Sequence, residues 1–141
     1  DPMAESTFMR AGLDHQLRQD GRHRVLWDFY RELFRLRQEL NLLTGLGRRD
    51  REVKAYEEEG VLWMRMIDAG GEAVMLFSFG REVLKFPLSW PRGRWHKRLD
   101  AAQERWLGPG SDAPMVIDGG SATSLRLAPQ SLLVYLRKDA A

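Results

Sequence analysis

Three tryptophans, Trp90, Trp95 and Trp106, stand in stretches that also hold glycine and proline. An exposed indole in such a loop is a platform for a sugar, because the C–H face of a glucose ring stacks on a π system. The competing role is packing, and it carries more weight: aromatic rings are the main filler of a small β core, so each of the three is read first as a cover for that core or for an interface. Trp27 and Trp63 fall in a helix-type and a strand-type stretch and are read as packing residues.

Other chemistry-bearing groups are weaker candidates. Glu57-Glu58-Glu59 runs into Gly60 between two strand-type segments, and such a run is a solvated hairpin tip before it is a metal or acid/base site. His15, His23 and His96 are too scattered for zinc, which takes several ligands at close spacing, so no metal or other cofactor is expected. Arg92, Arg94, His96, Lys97 and Arg98 surround Trp95 in a pattern that suits a phosphate backbone or single-stranded bases. Alternation along a strand sends these side chains to opposite faces, which splits the patch and leaves nucleic acid the least favoured partner.

The whole chain narrows the classes further. Its 141 residues, 43% of them hydrophobic, suffice for one core. The 22 basic and 20 acidic residues leave a formal charge of +2, a weak attraction for polyanions. With no cysteine there are no disulfides, cysteine nucleophiles or cysteine-ligated metals, and the composition leans toward the cytoplasm. No apolar run reaches the roughly 18 residues of a membrane span, and no signal peptide is expected. Because the first residue is Asp1, the sequence is read as a piece whose start lies upstream.

The elements that must position these residues change period once. Over Arg22–Leu43 the spacing predicts a long helix, with Val25, Leu26, Phe29, Leu33, Leu36, Leu40 and Leu43 on one stripe. Tyr30, Phe34 and Trp27 widen it to roughly 200°, twice the arc of about 100° that an ordinary surface helix buries, so two partners are expected. Arg37 falls inside the arc, and a buried guanidinium needs a partner there, so it is expected to be paired at the interface with the β module. Gly45 and Gly47 supply stop signals. Strand-type runs follow at 53–56, 61–67, 73–79, 83–86, 95–99, 115–118, 124–127 and 131–137, separated by turn residues, with Pro87 and Pro91 read as breakers. The first three form a meander. The fold class is α+β: one long N-terminal helix, then an antiparallel β-sandwich of seven or eight strands.

Particular residues carry a resemblance. Thr7-Phe8, Leu13-Asp14, His23 through Leu33 and Leu36-Arg37 resemble the end of the barrel in α-amylase-superfamily enzymes, the malto-oligosyltrehalose trehalohydrolases above all. Leu76-Phe77-Ser78-Phe79, Trp90-Pro91-Arg92-Gly93-Arg94-Trp95, Leu99-Asp100, Arg105-Trp106-Leu107-Gly108-Pro109-Gly110 and Leu127 through Tyr135 are similar to successive segments of that family's C-terminal sandwich.

The resemblance implies that 1–47 is a loop and the last helix of a (β/α)8 barrel, and that 48–141 is the C-terminal sandwich. Residues 1–17 would be the loop after strand eight, on the catalytic face. Barrel chemistry sits at the carboxyl ends of the strands, and glycoside cleavage needs two carboxyl groups about the scissile bond. In the superfamily the nucleophilic Asp, the acid/base Glu and a further stabilising Asp follow strands four, five and seven, all upstream of Asp1. The chain itself is therefore expected to hold no catalytic residue, and its implied partners are the parent's barrel and an α-glucan. Without the barrel, the outer stripe of the 22–43 helix would be an exposed apolar patch, and self-association through it is expected.

Overall fold

The computed structural model describes residues 3–40, 51–68 and 71–137. A short helix α1 (Glu5–Arg10) and a 3-10 turn (His15–Gln19) lead into the long helix α2 (Gly21–Leu40). Within the segment expected as a loop, residues 3–17 are thus partly helical: Asp14 Oδ1 accepts from the Gln16 N–H at 2.9 Å and caps the 3-10 turn. The predicted helix end at Leu43 and its glycine stops lie outside the described residues.

Eight antiparallel strands follow among the described residues: β1 (Arg51–Tyr56), β2 (Val61–Asp68), β3 (Gly71–Ser78), β4 (Leu84–Ser89), β5 (Gly93–Asp100), β6 (Val116–Gly119), β7 (Ala122–Leu127) and β8 (Ser131–Arg137). Six make one sheet in the order β1-β2-β3-β8-β5-β6, and β4 pairs with β7 in a separate ribbon. The expected meander is β1-β2-β3, with Glu57–Glu59 exposed in its first turn and Gly60 at φ 62°. Pro87 does not break its strand. It sits inside β4, opposite Ser124, and β4 has a neighbour on one side only, where a missing N–H can face away from the ladder.

The layers follow from the residue pattern. Ala73 through Phe77 and Leu132 through Leu136 are unbroken apolar runs, the mark of strands covered on both faces. One face of the six-stranded sheet presents Val61, Trp63, Val74, Leu76, Trp95, Ile117, Leu133 and Tyr135 to Phe86 and Leu88 of β4 and Leu125 and Leu127 of β7. The other presents Leu99, Val134, Met75, Leu132 and Leu136 to Leu36, Leu33 and Phe29 of α2. The large sheet is thus the middle layer, between the ribbon and the helix.

Candidate functional site

An irregularity in β5 organises the junction between sheet and helix. Its pairing with β8 runs His96↔Leu136 and Lys97↔Tyr135, then resumes at Leu99↔Val134 and Asp100↔Leu133, so Arg98 is one residue too many. A bulge of this kind reverses the alternation beyond it. Lys97 and Asp100, three apart, consequently share the ribbon-side face, while Leu99 turns to α2.

Each of these residues then finds a partner. Lys97 Nζ donates to Asp100 Oδ2 at 3.2 Å and to the Ala113 carbonyl at 2.6 Å, with both charged side chains buried. Asp100 Oδ1 accepts from the Ala102 N–H at 3.1 Å, and the Tyr135 hydroxyl donates to the Pro114 carbonyl at 2.7 Å. Burial, reinforced by the nearby Asp100 carboxylate, pushes the Tyr135 hydroxyl well above the usual tyrosine range. Together these bonds hold both ends of the glycine- and proline-rich loop from 101 to 115 against the sheet. Arg98 reaches the other way: its guanidinium donates to Glu39 at 2.9 and 3.0 Å and to Glu32, and these bonds raise its pKa further. Arg37, in contrast, is exposed, which corrects the expectation that it ties helix to sandwich. The tie comes from the opposite partner, a strand arginine on helix glutamates, because a guanidinium on α2's outer side cannot reach the sheet.

A 3-10 turn (Glu104–Trp106) closes the junction. Trp106 meets Phe29 of α2 edge to face at 5.2 Å, and Arg105 lies 4.6 Å over the Trp106 ring. Trp106, Phe29, Val25 and Leu26 line an apolar cleft of about 310 Å³, and a second, polar groove opens beside it between α2, β5 and the turn.

The three tryptophans named from the sequence are not brought together as a sugar platform. Trp95 is 0% exposed, with Nε1 donating to the Pro91 carbonyl at 2.9 Å, and Trp90 is 3% exposed, wedged 5.0 Å from Tyr135 and 5.8 Å from Trp95. Both are core residues, because the Pro91–Gly93 stretch folds them under the ribbon; neither has a free ring face for a sugar. Trp106 alone lines a cleft. His15, His23 and His96 are exposed and apart, and no metal-binding cluster occurs among the described residues. Of the basic residues, Arg92, Arg94 and His96 are exposed, whereas Lys97 and Arg98 are taken up internally. Sequence reasoning missed Lys97, Asp100 and Arg98 as a unit, since only the bulge puts them in place.

The outer face of α2 is an exposed apolar feature among the described residues. Leu26, Trp27, Tyr30 and Phe34 are 53%, 48%, 53% and 59% exposed, and Phe8, Met9 and Leu13 add exposed apolar side chains ahead of the helix. Positions 26, 30 and 34 repeat every four residues, a ridge of the kind that packs into a groove of a neighbouring element.

A helix with a bare ridge, a six-stranded sheet and a covering ribbon match a segment of larger proteins. Over 116 residues the chain is 34% identical to malto-oligosyltrehalose trehalohydrolase of Deinococcus radiodurans, covering 78% of this chain and 19% of that protein. This chain is a relative of the α-amylase family. It spans about a fifth of the length of the curated relative that it matches. Its fold is shared by part of a MutB mutant solved in complex with glucose (TM-score 0.54, 19% identity, 79% of this chain and 18% of that one). A second structure, a mutant of the trehalulose synthase MutB, aligns with a TM-score of 0.51 at 18% identity over 79% of this chain and 18% of that one. No family model matches the chain.

Proposed function

We propose that this chain is a noncatalytic C-terminal module of a glycoside hydrolase acting on α-glucans, and that it stabilises the catalytic barrel. Residues 1–47 contribute the barrel's last helix and 48–141 the sandwich that clasps it. The observation that carries this reading is the two-sided helix: α2 packs Phe29, Leu33 and Leu36 on the sheet and leaves Leu26, Trp27, Tyr30 and Phe34 about half exposed toward a second body. The likeness to a fifth of a trehalohydrolase supports reading that body as a catalytic barrel, and malto-oligosyltrehalose, cleaved to trehalose and a maltodextrin, as the parent's substrate. A place in cytoplasmic trehalose biosynthesis accords with that parent and with the absence of cysteine.

The module does no hydrolysis by itself. Asp100 and Glu32, the carboxylates of the polar groove, are each held by a cation, Lys97 and Arg98, whereas a glycosidase pair needs one protonated and one free carboxyl across the bond. The deciding experiment is to read the frame upstream of Asp1 and to introduce Tyr30→Glu with Phe34→Glu into the protein it encodes. Barrel strands carrying the catalytic carboxylates are expected there, and the double variant lowers the melting temperature while KM for the glucan stays the same. An unrelated domain upstream, or an unchanged melting temperature, would overturn the reading.

A further inference from the structure

The polar groove at the junction encloses about 600 Å³ and is lined by Glu32, Lys97, Arg98, Asp100, Gln103 and Arg105, among others. Its charges are matched from within: Lys97 with Asp100, and Arg98 with Glu32 and Glu39. An anion entering it would meet two carboxylates, and a cation would meet three basic groups. What remains is neutral and directional hydrogen bonding. Gln103 Oε1 is buried with no protein partner, and a buried acceptor in that state calls for a donor. Lys97 has a third N–H beyond the two it donates to Asp100 and Ala113. Arg105 stacks on Trp106 and makes no ion pair among the described residues, so its guanidinium N–H groups can donate sideways. Across the same turn, Trp106 Nε1 is a second buried polar atom without a protein partner, on a ring that lines the apolar cleft.

We propose that this junction is a saccharide-binding site. Donors and acceptors of matched charge beside an aromatic wall suit a neutral polyhydroxyl ligand: one hydroxyl donates to Gln103 Oε1, others accept from Arg105 and Lys97, and an apolar ring face lies on Trp106 and Phe29. The ligand class follows from the groove. The choice of an α-1,4-glucan as its occupant rests on the α-glucan reading of the parent.

Titration of the isotope-labelled chain with maltoheptaose, and separately with cellohexaose, followed by NMR, tests this. Saturable shifts confined to 97–107 and to the α2 residues facing them, Phe29 and Glu32, with Gln103→Ala and Arg105→Ala each weakening binding about tenfold, are expected for loss of one hydrogen bond to a ligand. Arg105 is exposed, so its variant keeps the fold and serves even if Gln103→Ala loosens the turn. Absence of saturable shifts with both sugars, or unchanged affinity in both variants, overturns the site. Equal binding of cellohexaose supports the groove and overturns the α-glucan assignment instead.

Discussion

Arg98 illustrates how much one side chain decides. As the extra residue of a bulge it donates to two helix carboxylates 59 and 66 positions away in sequence, and so ties the sheet to α2 by charge. Arg98→Met is expected to weaken the helix–sheet junction by about 1 kcal/mol, because the pair is partly exposed and a bidentate geometry only moderately improves on an ordinary surface pair. Unfolding in urea with Glu39→Gln as the second arm of a double-mutant cycle checks it: the two changes should be non-additive. Tyr135 makes a pH prediction. Its folded pKa lies above the ordinary value near 10, so above pH 10 the unfolded chain releases a proton that the folded chain keeps, and stability is lost as pH rises. Below pH 10 the contribution is complete. Wild type should therefore lose stability between pH 10 and 12 more steeply than Tyr135→Phe, which itself costs about 1 kcal/mol at neutral pH through the bond to Pro114.

At the scale of elements, the loop after β5 is held by backbone crowding as well as by its ion pair. A Cβ added at Gly108 would lie 2.3 Å from the Ala102 carbonyl oxygen, and the loop folds back on itself through the Gly110 N–H donating to that same oxygen at 2.8 Å. Gly108→Ala should cost about 1–3 kcal/mol in chemical denaturation, as overpacking does, whereas Gly12→Ala, meeting only Met9 O at 3.5 Å, should be silent. Elements were the most legible part of the chain. Every strand-type run corresponds to a strand, because alternation and turn residues are local signals, and the helix begins one residue before its predicted start. Pro87 and the 1–17 segment were not legible: whether a proline is tolerated depends on which edge of a strand is free, and the short helical turns before α2 have no periodic pattern to announce them.

For the whole molecule, the bare ridge of α2 sets the behaviour of the isolated chain. Leu26, Trp27, Tyr30 and Phe34 form an apolar patch that the described residues leave about half exposed, and such patches find partners. The chain alone is expected to self-associate in light scattering, and Tyr30→Glu with Phe34→Glu should return it to a monomer; a monomeric wild type at high concentration would count against the ridge as a docking face. The width of the apolar arc was already visible in the residue order, since helical phase is fixed by the chain and needs no tertiary contact. So were the long helix, the succession of seven or eight strands after it and the kinship with α-amylase enzymes, which rest on ordered local segments. What the tertiary structure decided is which side of each residue is covered. It drew Trp90 and Trp95 into the core, left Arg37 outside and Arg98 across the junction, and placed Lys97 and Asp100 on one face. These outcomes turn on a single-residue bulge and on the order in which strands pair, and both are settled by contacts between residues far apart in the chain.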